Sequence, residues 1–364
     1  EGQFVYALSV AVLQRDDCKD FVPPAPYEIY PHLFVPSEVI QKAYEVRMQG
    51  EHYKEVEDVY KVDKTYYIPS NYSGSWYTKY PEQLVSYFTE DVGLSTFHTY
   101  WNMDYPFWAN AKYYNLKFDR DGELFYYTQN QIMARYFLER LSNGLGEVQP
   151  FSYSYKTPIA GFEPSLHYQN GKEFPMRPEG VQFSNSYKTE EALAYERRIH
   201  DAIDLGFVWT KDGQKVALKE KEGIDLLGEI VKGTYDSVNK DFYGEIYNMM
   251  RTIFGHVTDP TYKYGTAPGV TEHFETALRD PAYYQMYKRI EYLFKTWKSH
   301  LHPYTPEELV YPGVKVESIE VDKLITFFDK FDIDLDNAVD VGLIEDGEFV
   351  NIQARQDRLN HKPF

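Results

Sequence analysis

The stretch YFTEDVGLSTFHTYWNMDYPFW, residues 87–108, determines how the rest of the chain is interpreted. It predicts a buried helix, expected from Pro81 to Met103 and terminated by Pro106. His98 and Asn102 are four residues apart, so a helix places both side chains on one face. Two histidines at this spacing can offer two imidazoles to one metal ion, but the second position here is an amide. The stretch therefore indicates either a damaged metal site or a core helix that never held a metal.

Length, composition and charge exclude several classes of function. The chain has 364 residues, of which 43% are hydrophobic, and no apolar run is long enough to span a bilayer. These values predict a soluble globular protein without membrane insertion. The net charge of −18 argues against nucleic acid and anionic membrane surfaces as partners, because both require a basic patch. High solubility is the simplest use for such a charge.

The aromatic content is the unusual feature of the composition. The 35 tyrosines outnumber the 22 glycines, and 23 phenylalanines and 5 tryptophans add to them. Aromatic-rich cores and interfaces would account for this, because each ring buries a large area. Alternatively, the composition is itself the function, as in a store of aromatic amino acids. Cys18 is the single cysteine, so it cannot form a disulfide within this sequence.

Periodicity predicts a mainly α-helical chain with a β part. Apolar spacing favours helices over residues 3–14 (buried), 37–48, 189–205 and 223–232, and a long loop over 149–187. A turn is predicted at 119–122 and a hairpin around 211–213. Four long amphipathic segments, near 85–103, 123–141, 238–254 and 281–297, predict a four-helix bundle. The third of these belongs to one helix expected from Tyr235 to about Phe254.

The last part of the chain predicts the beginning of an antiparallel β domain. Val314, Val316, Ile319 and Val321 are interleaved with polar residues, and strand candidates follow at 324–328 and 349–355. The pattern gives three segments: 1–80, 81–303 and 304–364. Neither end of the sequence resembles a natural terminus, which predicts a fragment of a longer chain.

Asn71 begins the one Asn-x-Ser/Thr sequon of the sequence, Asn71-Tyr-Ser73. It lies in a loop rich in serine, glycine and asparagine, where a glycan could be attached if the protein is secreted. Sequons also occur by chance, so the motif alone leaves glycosylation open.

Two motifs carry a resemblance to the arthropod hemocyanin superfamily. Residues 276–284, TALRDPAYY, match its T-x-x-R-D-P-x-[FY]-[FYW] pattern in full. Residues 87–92 begin its other signature, and the sequence then departs from that signature at Ser95 and Asn102, where asparagine and histidine are expected. The resemblance extends from Gln3 to Phe364. It implies a hemocyanin-like fold: the end of an N-terminal helical domain, a central dicopper-type four-helix bundle, and the first part of a β-sandwich domain.

The resemblance also implies where copper ligands would lie. Hemocyanins hold each of two coppers with three histidines, a ligand type that suits copper. The corresponding positions here are His98, Asn102 and Gln129 for the first copper, and Tyr247, Arg251 and Tyr287 for the second. One histidine of six is present, and a guanidinium is not a ligand. We therefore expect no copper, no other cofactor and no catalytic residues. We expect His98, Tyr247, Arg251 and Tyr287 to pack together and to satisfy one another's polar groups.

Without copper, the resemblance indicates the insect hexamerins, and the aromatic excess is similar to arylphorin, their aromatic-rich larval storage type. This implies a non-enzymatic, glycosylated storage protein, secreted into larval haemolymph and assembled with homologous subunits in a hexamer. A fat-body uptake receptor is a further implied partner. The alternatives are a carrier of small apolar ligands and, less favoured, a residual copper oxygen carrier or phenoloxidase.

Overall fold

The computed structural model describes residues 2–50, 58–75, 79–153, 159–183, 187–220, 222–339 and 351–361. The helices are α1 Gly2–Leu13, α2 Pro26–Ile29, α3 Ser37–Gln49, α4 Ser86–Thr89, α5 Val92–Asp104, α6 Ala111–Tyr114, α7 Asp121–Ser142, α8 Tyr187–Leu205, α9 Gly223–Lys232, α10 Lys240–Tyr243, α11 Ile246–Gly255, α12 Pro281–Ser299 and α13 Pro306–Leu309. The strands are β1 Tyr60–Val62, β2 Thr65–Ser70, β3 Phe207–Trp209, β4 Lys215–Ala217, β5 Thr326–Asp334 and β6 Asn351–His361.

The predicted helix from Pro81 to Met103 is wrong as a single element. A 3-10 turn over Pro81–Val85 and the short α4 precede α5, which begins only at Val92. The Asp91 side chain accepts a hydrogen bond from the backbone N–H of Leu94 at 2.8 Å. An aspartate in extended conformation at this position is a strong N-cap, so it starts a new helix and interrupts the preceding one. The helix ends at Asp104, shortly before Pro106 as predicted.

The predicted bundle is present as α5, α7, α11 and α12. α7, α11 and α12 pack on one another and on α8 and α9, and α5 joins them where His98 contacts Tyr283 of α12. Its core is rich in tyrosine, and Tyr136 stacks on Tyr284 with ring centroids 3.7 Å apart. Burial of these rings accounts for part of the aromatic excess, because each ring removes a large apolar area from water. The tyrosines with fully buried side chains are Tyr136, Tyr243, Tyr247, Tyr283, Tyr284 and Tyr287.

The motif at 276–284 builds the start of α12. The Thr276 hydroxyl donates to the carbonyl of Val270 at 2.6 Å, and Asp280 caps the helix by accepting from the N–H of Ala282 at 2.8 Å. Pro281 occupies the first helical position, which requires no hydrogen-bonded N–H. Asp280 also forms a buried ion pair with Arg177 from the long loop. The motif therefore has a structural role in positioning α12.

Three helical boundaries or environments differ from the predictions. The expected helix from Tyr235 to Phe254 is broken, because Gly244 adopts a φ of +73° between α10 and α11. The predicted turn at 119–122 is partly helical, since α7 already begins at Asp121. α1 is present, but it is not a buried helix: Phe4 is 70% exposed.

No helix of the described residues is long and apolar enough to cross a membrane.

A four-stranded sheet joins residues 60–70 to residues 326–361, with strand order β1-β2-β6-β5. β5 and β6 are antiparallel, as predicted, whereas β6 pairs with β2 in parallel. Periodicity predicts no strand at β1 or β2, because their residues are charged, tyrosine-rich and weakly periodic. The first residues of the predicted strand at 349–355 lie outside the described residues. The threefold division into 1–80, 81–303 and 304–364 stays a prediction.

Candidate functional site

Four helices bring the predicted ligand positions to one place in the core. α5 contributes His98 and Asn102, and α7 contributes Gln129. Tyr247 and Arg251 come from α11 and Tyr287 from α12, each spaced within its helix so that its side chain faces inward. The relative exposures range from 0% to 6%, so all six side chains are buried.

Tyr283 is the centre of a hydrogen-bonded network that joins two of these positions, Gln129 and Tyr247, and it also contacts His98. Its hydroxyl donates to the Gln129 side-chain oxygen at 2.8 Å and lies 2.9 Å from the hydroxyl of Tyr247. The Nε2 atom of His98 lies 3.3 Å from the same hydroxyl. A phenol carries one proton, so when Tyr283 donates to Gln129 it accepts from Tyr247. The hydrogen bonds therefore link α7, α11 and α12 through a single residue, and the ring contact of Tyr283 with His98 adds α5.

His98 is held as a neutral imidazole. Its Nδ1 lies 2.8 Å from the carbonyl oxygen of Phe274, a contact that places the ring proton on Nδ1. Burial lowers the pKa of His98 to about 4, and the nearby Arg251 acts in the same direction, while the bond to Phe274 opposes them. The imidazole is therefore uncharged at neutral pH.

Asn102 and Arg251 are directed away from this network. The amide of Asn102 donates to the carbonyl of His98 on its own helix at 2.7 Å. The guanidinium of Arg251 donates to the carbonyls of Thr271 and Glu272 at 3.0 and 2.7 Å. It also lies 3.8 Å from the ring centroid of Phe274. Backbone carbonyls and an aromatic face thus stabilise the buried positive charge.

The expected mutual satisfaction of His98, Tyr247, Arg251 and Tyr287 is only partly correct. Tyr247 joins the network, but Arg251 bonds to backbone carbonyls. The hydroxyl of Tyr287 is buried and has no hydrogen-bond partner among the described residues. Sequence reasoning missed Tyr283, although it lies one helical turn before Tyr287 and therefore on the same face of α12. That spacing was the available signal.

Two family models match the sequence. "Hemocyanin, copper containing domain" matches residues 25–294, and "Hemocyanin, ig-like domain" matches residues 303–364. The chain belongs to the arthropod hemocyanin superfamily.

Relatives within the hemocyanin superfamily include both hexamerins and hemocyanins. A hexamerin of Blaberus discoidalis is 42% identical over 100% of this chain and 54% of its own length. Hexamerin 70b of Apis mellifera is 39% identical over 100% of this chain and 53% of its own. A scorpion hemocyanin structure has a TM-score of 0.87 and 32% identity, covering 99% of this chain and 56% of that chain. The resemblance to the hexamerins is thus confirmed, while the arylphorin subtype stays a prediction.

The chain spans about half the length of the curated relatives it matches. The site described above lies within the part that matches the copper-containing domain of hemocyanins.

The residues that the resemblance assigns to the copper positions do not fit a pair of copper ions. Copper in such sites requires neutral imidazoles, and only His98 supplies one. Its Nδ1 is engaged by Phe274, and its Nε2 faces the hydroxyl of Tyr283. Arg251 places a permanent positive charge nearby. Among the described residues, no group of three or more His, Cys, Asp or Glu side chains is arranged to hold a metal ion.

Asn71 lies immediately after β2 and is partly exposed. With Tyr72 and Ser73 it lines a crevice of about 570 Å³. The asparagine is therefore placed in a surface loop, the usual setting of a glycan acceptor.

Proposed function

We propose that this chain is part of a non-enzymatic storage protein, a reserve of tyrosine and phenylalanine carried in larval haemolymph and consumed at metamorphosis. The observation that carries the proposal is the packing around Tyr283, which contacts His98, Gln129 and Tyr247, three of the six positions that the resemblance assigns to copper ligands. Oxygen carriage and phenol oxidation in this family depend on that metal pair, so its loss removes both. The function that then remains is the supply of amino acids.

The distribution of tyrosine supports a reserve. Burial accounts for the core tyrosines, but other rings lie at the surface, and Tyr113 and Tyr264 are 78% and 76% exposed. An exposed ring contributes little to the stability of this chain, so packing gives no reason for it. The net charge of −18 supports the high concentration that a reserve requires.

Isotope tracing tests the reserve directly. Full-length protein carrying labelled tyrosine is injected into larvae, and the label is followed into newly made adult proteins. We expect the label to leave the storage protein during metamorphosis and to appear in adult tissue. Label that remains in intact protein through metamorphosis would contradict the proposal. A labelled serum protein of similar size controls for general turnover.

The proposal includes no enzymatic role, because the side chains at the site do not suit copper. The absence of phenol oxidation is tested separately. Purified full-length protein is incubated with copper and then with a set of diphenols. We expect no oxidation above the rate of free copper. Saturable oxidation that depends on bound copper would show that the protein is a phenoloxidase.

A carrier of small apolar ligands is a weaker alternative. It would need an open aromatic pocket at the emptied site. Instead, the rings of Phe274 and Tyr283 each lie 5.8 Å from the ring of His98 and pack edge-on against it. Contacting rings at this position do not favour a ligand cavity there.

We further propose a hexamer of homologous subunits, glycosylation at Asn71, and uptake through a fat-body receptor. The apolar side chains that α1 leaves exposed, Phe4 and Leu8, support a further contact at this face. Light scattering of the secreted protein tests the hexamer. Peptide mass spectrometry before and after glycosidase treatment tests Asn71, with an Asn71→Gln variant as the control.

A further inference from the structure

Two glycines bring α7 and α9 into direct backbone contact. A Cβ added to Gly228 would lie 2.0 Å from the carbonyl oxygen of Gly122, and one added to Gly122 would lie 2.0 Å from that of Asp225. The backbones therefore touch where α7 begins. Side chains that flank this contact are held close together, and they cannot separate without opening the contact itself.

The ammonium group of Lys232 bonds to residues on both sides of this α7–α9 contact, which is called the corner below. Lys232, in the last turn of α9, is 2% exposed. Its Nζ lies 2.6 Å from an Asp121 carboxylate oxygen and 2.9 Å from the carbonyl oxygen of Tyr105. It thus ties α9 to the first turn of α7 and to the end of α5. Breaking one partner of such a buried pair is strongly destabilising.

Further carboxylates surround Glu229 of α9: those of Asp225, Asp121 and Asp236. Asp225 accepts from the backbone N–H of Glu123 at 3.1 Å, and Asp236 accepts from that of Ala111 at 2.8 Å. Glu229 lies one helical turn from Asp225 and three residues before Lys232, so it faces the same side of α9. Among the described residues, its carboxylate has no hydrogen-bond or ion-pair partner. Two cations lie beside these carboxylates in the described part of the chain, Lys232 and Arg120, and Arg120 is already paired with Glu123. The acidic groups of the cluster therefore exceed the positive charge available to them.

We propose that the α7–α9 contact is a pH-responsive latch, with Glu229 as the group that gains and loses the proton. A protonated Glu229 adds no charge to the cluster. An ionised Glu229 adds a negative charge beside Asp225, Asp121 and Asp236, and it competes with Asp121 for Lys232. Ionisation therefore favours opening of α9 from α7.

The electrostatics of the cluster set the direction and the pH range. Burial, followed by Asp225, Asp121 and Asp236, raises the pKa of Glu229 to about 7, and Lys232 opposes the shift. An acid with a raised pKa in the folded state stabilises that state fully below its unfolded pKa. The contribution is lost as the pH rises through the folded pKa. The latch is thus closed under acidic conditions and loosens between about pH 5 and 8.

Hydrogen exchange of the α9 amides in the full-length protein tests the latch. After correction for the intrinsic dependence of exchange on pH, we expect local opening to increase about tenfold between pH 5 and 8. In Glu229→Gln the increase should be less than twofold. Glu222→Gln is the matched control, because Glu222 is exposed at the start of the same helix and should leave the wild-type response unchanged.

A second variant tests the cluster without altering Glu229. Asp236→Asn keeps an oxygen that can accept from Ala111 and removes one nearby charge, so it should move the midpoint of the opening to lower pH. An unchanged midpoint in Asp236→Asn would overturn the proposal. So would a full wild-type response in Glu229→Gln or the absence of any response in the wild type.

Discussion

Tyr283 and Tyr287 lie one turn apart on α12, but their hydroxyl groups have different surroundings. The hydroxyl of Tyr283 meets Gln129, Tyr247 and His98, whereas that of Tyr287 has no partner among the described residues. Both rings are fully buried. The pair therefore separates the contribution of a hydrogen-bonded network from that of a buried phenol.

Removing the Tyr283 hydroxyl should destabilise the protein. Tyr283→Phe leaves the polar groups of Gln129 and Tyr247 without their shared partner, so we expect a loss of about 1–3 kcal/mol in the free energy of unfolding. Tyr287→Phe is the matched control, and its effect should be within about 0.5 kcal/mol or stabilising, because it removes an unpaired buried hydroxyl. Chemical denaturation of both variants measures the difference. Equal effects in the two variants would contradict the assignment of Tyr283 as the centre of the network.

His98 should make the protein sensitive to acid. Its pKa is lowered to about 4 in the folded state, so the unfolded chain binds the proton first as the pH falls below about 6.5. We expect the loss of stability between pH 6.5 and 4 to include up to about 3 kcal/mol from this residue. His98→Gln should remove that contribution from the pH dependence of unfolding. His302→Gln, at an exposed histidine, should not.

At the scale of elements, the crossing of α7 and α9 depends on the absence of side chains at two positions. In Gly228→Ala the new Cβ would meet the backbone of Gly122 at 2.0 Å, so the helices must separate. We expect a loss of about 2–3 kcal/mol. Gly146→Ala is the control, because a Cβ there meets nothing within 4 Å and glycine is more flexible when unfolded. Thermal unfolding of the two variants distinguishes a packing effect from a general effect of replacing glycine.

The sequence predicted most helices and missed the points where they are interrupted. α9 and the start of α12 follow directly from apolar spacing and from the Asp280-Pro281 pair. The break before α5 depends on Asp91 acting as a cap, and the break before α11 depends on a left-handed Gly244. In the sequence, the apolar periodicity continues across both positions, so it predicts uninterrupted helices. β2 was missed because its partner β6 is distant in the sequence, with Thr65 paired to Asn351. β1 was missed because it pairs with β2 through charged, weakly periodic residues.

For the whole molecule, the resemblance to hemocyanins located the core site, and the structure supplied its contacts. The six predicted positions do come together, because the family's helices place them there. The hydrogen-bond pattern could not be predicted from the same motif. The direction of the Arg251 guanidinium depends on the loop that carries Thr271 and Phe274. Which phenol reaches Gln129 depends on how α12 packs against α7.

The copper content of the purified full-length protein tests the central claim most directly. The protein is incubated with excess copper under oxygen, freed of unbound metal, and analysed for metal and for absorption that depends on oxygen. We predict less than about one-tenth of a copper per chain and no such absorption, because His98 is the only imidazole at the six positions. Two coppers per chain with reversible oxygen-dependent absorption would contradict the account.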